Sequence, residues 1–368
     1  MSMAGRPFRV LSLDGGGMRG TYTATYLACL ASTFARRRDV PAIDVGAAFD
    51  LIVGTSTGGI VACALAFGLS PGALVEFYRE HGASIFPRRL PQGIGLDLVV
   101  DLLTRKRILK SGADALRAAL HKRFQDTTLA EVYQQRRIAL AITAVEMSQH
   151  RSWVFKTPHL GTTTNHRDDR THLVEVCMAT TAAPVYRSLA IVDHADGGVP
   201  GCRAFVDGGL WANNPVLVGL LDALAMAPAD QKIEIFSLGT CPRPAGEQVA
   251  RADVDRDLSA WKFGGDAAAL SIDAQEFAFD NIARMLVRHL NRPCEFLRFP
   301  RDQVPAALLP YLDLDDTRVT AIDALVNQAR TDADMANSRC ADPSSREGAL
   351  ITSLFMDAPA VGAAVATA

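Results

Sequence analysis

Short apolar runs that end in glycine alternate along this chain with longer stretches of helical spacing. Residues 8–13, FRVLSL, are the first such run; they stop at Asp14-Gly15-Gly16-Gly17, which predicts a strand followed by a glycine-rich turn. Residues 21–34 contain neither Gly nor Pro and read as a helix, with a charged stop at 36–39. A second strand at 51–53 runs into Gly54-Thr55-Ser56-Thr57-Gly58, and 60–69 continues as a helix. Ser70-Pro71 opens another, with proline near its favoured first position.

The pattern loosens between 86 and 110, where LDLVVDLL precedes Arg105-Lys106-Arg107. Ser111-Gly112-Ala113-Asp114 has the spacing of a capping box and predicts a helix start running to 124. Residues 138–145 and 153–156 read as neighbouring strands, and 174–183 as a small-residue helix stopped by Pro184. A strand at 203–206 ends in Asp207-Gly208-Gly209, followed by a helix at 215–227 and a strand at 233–238. Residues 254–290 are helical with a break at Gly264-Gly265; a last strand at 296–299 and a helix at 317–330 follow, and 356–368 is a small-residue tail. There is no internal repeat. Strands alternating with helices predict an α/β fold with a mainly parallel central sheet flanked by helices. The expected division is one body over 7–330, with helical additions around 84–130 and 253–290, then a C-terminal extension and tail over 331–368.

Composition narrows the function classes. A hydrophobic share of 49% with 21% charged residues excludes wholesale disorder in a 368-residue chain. Lys and Arg number 38 against 40 Asp and Glu, so no global basic field exists for a nucleic-acid polymer. Seven scattered cysteines have no zinc or redox-pair spacing; reduced thiols, a cytoplasmic setting and no metal site are expected. The N-terminus has no signal-peptide pattern. The most apolar long segment, 53–69, is rich in Gly, Ser and Thr and shorter than the ~20 residues of a membrane span.

Three motifs carry chemistry. Gly54-Thr55-Ser56-Thr57-Gly58 is a G-x-S-x-G sequence between an apolar strand and an apolar helix, the setting of a nucleophile elbow. Its glycines let the chain turn sharply and lift Ser56 to a helix N-terminus, where developing negative charge is favoured. Asp14-Gly15-Gly16-Gly17-Met18-Arg19-Gly20 also fits a dinucleotide-binding turn, but that reading needs an acid ending a second strand ~20 residues on. No strand precedes Asp39, so an oxyanion hole of successive N–H groups is the better reading. The third motif, Asp207-Gly208-Gly209, reads equally as an ordinary turn or as a carboxylate base, its pKa raised by desolvation, for a serine nucleophile.

In this order, DGGGMRG at 14–20, GTSTG at 54–58 and DGG at 207–209 resemble the patatin-like phospholipase family. ATTAAP at 179–184, DGGLWANNP at 207–215 and FSLGT at 236–240 extend the resemblance across about residues 7–330. It implies a three-layer patatin-like fold and a Ser56–Asp207 dyad without histidine, acting through an acyl-enzyme. It assigns the oxyanion hole to Gly15, Gly16, Gly17 and Met18, with Arg19, Gly54, Thr57, Gly58 and Gly208 in support. Arg19 is expected either to brace the loop or to meet an anionic head group. No cofactor is implied.

The implied substrate is a membrane phospholipid. Some bacterial members of the family act in anti-phage defence once a cyclic di- or trinucleotide binds them, so such an activator is an expected partner. Arg88, Arg89, Arg105, Lys106, Arg107 and Lys110 against Asp97 and Asp101 give 86–110 a local +4 among apolar residues, which suits transient contact with a membrane surface as well as a core helix with solvated ends. Two rivals remain. A Ser-His-Asp triad would have to use His289, the only histidine beyond Asp207. A catalytically inert nucleotide-binding or storage protein would keep the turns without the chemistry.

Overall fold

The computed structural model describes residues 5–91, 96–161, 166–196, 199–241, 249–251, 254, 255, 257, 261, 265–300 and 304–362. Its frame is an eight-stranded sheet of β1 (Phe8–Leu13), β2 (Leu51–Thr55), β3 (Ala139–Glu146), β4 (Arg151–Lys156), β5 (Ala190–Asp196), β6 (Val199–Asp207), β7 (Ile233–Leu238) and β8 (Cys294–Phe299). The strand order is β5-β6-β3-β2-β1-β7-β8, with β4 also paired to β3. The run β3-β2-β1-β7-β8 is parallel, and β4, β5 and β6 add antiparallel pairings at one side. β1, β2 and β7 are buried at every position, which is why they read as short, mostly apolar runs rather than alternating ones.

β1, β2, β3 and β7 each feed two separate cores. Leu11, Leu13, Ile52, Leu140, Ile142, Phe236 and Leu238 face one side; Phe8, Val10, Leu51, Val53, Ala139, Ala141, Ile233 and Ile235 face the other. The first side is covered by α1 (Gly20–Arg37), α2 (Thr57–Phe67), α3 (Pro71–Ile85), α4 (Leu96–Phe124), α5 (Leu129–Arg136) and α6 (Leu173–Thr180). After the short α7 (Gly209–Ala212), α8 (Val216–Met226) and α9 (Gly265–His289) cover the second. The result is the expected three-layer α/β architecture.

Three local expectations change. Ser111 does not start a helix, because α4 runs unbroken through it. A Cβ on Gly112 would lie 2.4 Å from the Ile85 carbonyl oxygen, so the small residues there let α4 pass close to the end of α3. β5 has no counterpart among the expected strands, and β6 begins at Val199, ahead of the expected 203–206; the sequence between them is Asp196-Gly197-Gly198, whose two glycines lie outside the described residues. The expected boundary at 330 falls inside α10 (Val319–Ala341), which leads into α11 (Arg346–Asp357). Ile351, Leu354 and Phe355 are buried in the first core, and Phe355 stacks on Phe34 of α1. Arg9, buried in β1, reaches Glu234 on β7 (3.1 Å) and Asp357 on α11 (2.6 Å).

Candidate active site

Parallel pairing of β1 with β2 sets Leu13 beside Gly54, so the glycine-rich turn and the GTSTG turn leave the sheet together. β3 then brings in the third motif. Its Thr143 pairs with Thr55 at the end of β2, and its next residue, Ala144, pairs with Asp207 at the end of β6. β6 thus meets β2 end to end along one edge of β3, and Ser56 and Asp207 converge.

Ser56 sits at φ 54°, ψ −124°, between β2 and α2. A non-glycine residue held there stores about 1–3 kcal/mol of backbone strain. The turn closes because both flanking glycines lack a Cβ: one on Gly54 would lie 2.4 Å from the Gly58 carbonyl oxygen, and one on Gly58 would lie 2.3 Å from that of Leu13. The Ser56 N–H donates to Thr180 Oγ1 at 2.8 Å. Its hydroxyl donates to Asp207 Oδ2 at 2.6 Å, and the other Asp207 oxygen accepts the Gly209 N–H at 2.7 Å.

Asp207 is only 5% exposed. Burial pushes its carboxyl up to about 6, against the opposing pull of the Ser56 and Gly209 donors and the Arg187 charge. A carboxylate with that pKa is basic enough to take a hydroxyl proton in the transition state, yet ionised at neutral pH. Among the described residues Ser56 Oγ has no histidine partner, and His289 stands exposed at the end of α9.

The glycine-rich turn lies against the nucleophile; a Cβ on Gly15 would come 3.2 Å from that of Ser56. Its donors divide into two sets. Gly15 N–H is spent on the Asn213 carbonyl (3.0 Å) and Met18 N–H on the Leu314 carbonyl (2.8 Å). Those bonds anchor the turn, which corrects the expectation that Gly15 and Met18 supply oxyanion donors. The Gly16 and Gly17 N–H groups have no acceptor among the described residues. Gly17 takes φ +55°, and a Cβ there would strike the Leu314 carbonyl at 2.3 Å. Arg19 braces this loop, donating to the Gly16 (3.3 Å) and Cys241 (3.4 Å) carbonyls. Thr57, the residue after the nucleophile, is fixed through its hydroxyl by Tyr78 OH. Gly208 packs against Thr143.

Several residues at the site escaped the sequence reading. Thr180 and Asn213 lay in stretches noted there, ATTAAP and DGGLWANNP, without a role. Asp14 is fully buried and hydrogen-bonded to Arg298, which also holds Ser237 (2.9 Å) and Glu276 (2.8 Å). Burial raises the Asp14 carboxyl well above its ordinary range, with the Arg298 charge opposing. Glu276 in turn accepts from Asn213 Nδ2 at 3.1 Å. α9 is thereby tied to both motif turns through a network no local pattern announces. Among the described residues, no cluster of His, Cys, Asp or Glu could hold a metal ion.

A strained serine bonded to a buried carboxylate beside unpaired backbone donors is the equipment of a serine ester hydrolase. The family model for patatin-like phospholipases matches residues 11–220, and the chain belongs to that family. A cGAMP-activated phospholipase of Pseudomonas aeruginosa is 36% identical over 77% of this chain and 76% of its own length. One from Vibrio cholerae is 32% identical over 63% of this chain and 64% of its own. Human GIVD cytosolic phospholipase A2 aligns over 95% of this chain and 60% of its own, at TM-score 0.44 and 11% identity.

Proposed function

We propose that the chain hydrolyses acyl esters of membrane phospholipids through a Ser56–Asp207 dyad. The observation that carries this reading is the 2.6 Å bond from Ser56 Oγ to a buried carboxylate whose pKa stands near 6. Ser56 attacks the ester carbonyl while Asp207 takes its proton, and the oxyanion settles on the Gly16 and Gly17 N–H groups and the N-terminus of α2. Asp207 returns the proton to the departing alcohol. A water molecule, deprotonated by Asp207, then attacks the acyl-Ser56 carbonyl, and the fatty acid leaves as Ser56 is restored.

The relatives' names supply one regulatory part of the proposal, activation by a cyclic dinucleotide of the kind named for the Pseudomonas and Vibrio proteins; an anti-phage setting is proposed from the family resemblance alone. No helix among the described residues is long and apolar enough to cross a membrane. The contact with lipid proposed here is peripheral, made by a cytoplasmic protein. The described part of α4 supports such contact. Leu103 is 81% exposed beside Lys106, Arg107 and Lys110, while Arg88, Arg89 and Arg105 are tied to Asp101, Asp313 and Asp316.

Phosphatidylethanolamine–phosphatidylglycerol vesicles, incubated with and without a panel of cyclic di- and trinucleotides, test both parts. Fatty-acid release by the wild type, absent in Ser56→Ala, is expected to require one member of the panel. Release indifferent to every nucleotide overturns the switch; release that persists in Ser56→Ala overturns the dyad.

A further inference from the structure

The segment that follows α6 wraps the dyad. Thr180 Oγ1 accepts from the nucleophile's N–H, the Ala182 carbonyl accepts from the Asp207 N–H at 3.1 Å, and the Ala183 carbonyl accepts from the Arg187 N–H at 2.8 Å. Within it Val185, a β-branched residue, is held at φ 71° with its side chain exposed. A residue of that kind rarely takes this conformation, so the loop's path is imposed by its surroundings. The path carries Arg187 inward, to 6% exposure.

A buried arginine is ordinarily paired. Arg298 has Asp14 and Glu276, and Arg9 has Glu234 and Asp357. Arg19 is committed to backbone carbonyls at the oxyanion turn. The Arg187 side chain makes a single hydrogen bond among the described residues, from Nη1 to the Ile85 carbonyl at a long 3.3 Å, and its guanidinium lies 5.7 Å from the Phe86 ring. Its remaining N–H groups have no acceptor there, and no carboxylate forms a salt bridge with it. The charge that acts on it is that of Asp207 itself, which opposes the effect of burial.

We propose that Arg187 is the residue that binds the phosphodiester of the lipid substrate, its free guanidinium edge fixing the head group while the ester lies at Ser56. This rests on the phospholipase reading above. A phosphodiester stands a few bonds from the glycerol ester carbonyls, so a cation beside the dyad meets it when an ester enters. The planar fork of arginine suits two phosphate oxygens, and a charge-assisted bond in an enclosed site is among the stronger ones. Burial pulls the Arg187 guanidinium down to about 10, so it is a poorly solvated cation that an anion relieves. A neutral ester brings no such partner.

The test compares wild type, Arg187→Gln and Arg187→Lys on a short-chain phosphatidylcholine and on a neutral p-nitrophenyl ester of the same acyl chain. Glycerophosphocholine and inorganic phosphate serve as inhibitors of neutral-ester hydrolysis. The ratio of phospholipid to neutral-ester kcat/KM should fall about 10–100-fold in Arg187→Gln and less in Arg187→Lys. Glycerophosphocholine should inhibit the wild type competitively and lose that inhibition in Arg187→Gln. Rates of Ser56 labelling by a fluorophosphonate report whether each variant keeps its site. An unchanged ratio overturns the proposal, as does inhibition that survives in Arg187→Gln. Inhibition by inorganic phosphate equal to that by glycerophosphocholine overturns the head-group assignment in favour of a simple phosphate site. A wild type that cleaves the neutral ester and no phospholipid refutes the phospholipase reading instead, and the inhibition arm still decides whether Arg187 binds a phosphodiester.

Discussion

Replacing Asp207 by Asn should make the protein more stable at neutral pH while removing its activity. Asn is isosteric: its carbonyl oxygen can take the Gly209 N–H and its amide can donate to Ser56 Oγ, so both bonds of the carboxylate keep a counterpart. What disappears is a buried charge. The Asp207 carboxyl is raised from its ordinary 3.8 to about 6, chiefly by burial. The folded state therefore holds this proton more tightly than the unfolded chain does. Stability falls as pH climbs from 3.8 to about 6 and stays reduced above that. The full separation amounts to about 3 kcal/mol at pH 7.5, shrinking below about 1 kcal/mol near pH 4. For a chain of 368 residues, that is a rise of about 4 °C in Tm at neutral pH. Thermal melts of wild type and Asp207→Asn between pH 4 and 8 measure it, with hydrolysis expected to drop about 10²–10⁴-fold in the same preparation. A difference in Tm that is absent, or that does not change with pH, refutes the claim that burial of the ionised carboxylate is what raises its pKa.

Three further outcomes follow from the same geometry. In the wild type, kcat/KM should rise with unit slope and level off above about pH 6 as Asp207 ionises; a profile flat down to pH 4.5 contradicts the carboxylate base. Glu276→Ala should lower kcat about 10–100-fold at nearly constant KM, because Arg298 and Asn213 lose their shared partner behind the oxyanion turn, with Glu276→Gln recovering much of the loss. His289→Ala should leave ester hydrolysis unchanged, since that side chain is exposed at the end of α9 and the nucleophile is bonded to Asp207; near-total loss would revive a histidine triad.

The central strands and the three turns were legible because each rests on local sequence: a short, mostly apolar run for a strand buried on both faces, and glycines where a Cβ would collide; β5 was not. Residues acting through distance were not. Glu276 lies 63 positions from Asn213 and 22 from Arg298, and only the fold brings them together. Arg187 is invisible for the same reason, because an arginine after a proline-ended helix reads as surface. The capping-box spacing at Ser111 misled because small residues serve close helix crossing as well as helix starts. The donors of the glycine-rich turn could be counted from sequence, but which are already spent depends on Asn213 and Leu314.

The end-to-end meeting of β6 and β2 has a mechanical consequence. Nucleophile and base hang from consecutive rungs of one ladder, Thr143 and Ala144 of β3. Their separation is a matter of register and is insulated from the 150 residues of chain that lie between them. Lengthening the turn at 147–150 would leave it untouched, while a one-residue slip of β6 against β3 would turn the carboxylate to the opposite face of the sheet. Prying the pair apart means unzipping that ladder. An off state for such an enzyme is thus more cheaply built by blocking the doorway than by dismantling the engine behind it.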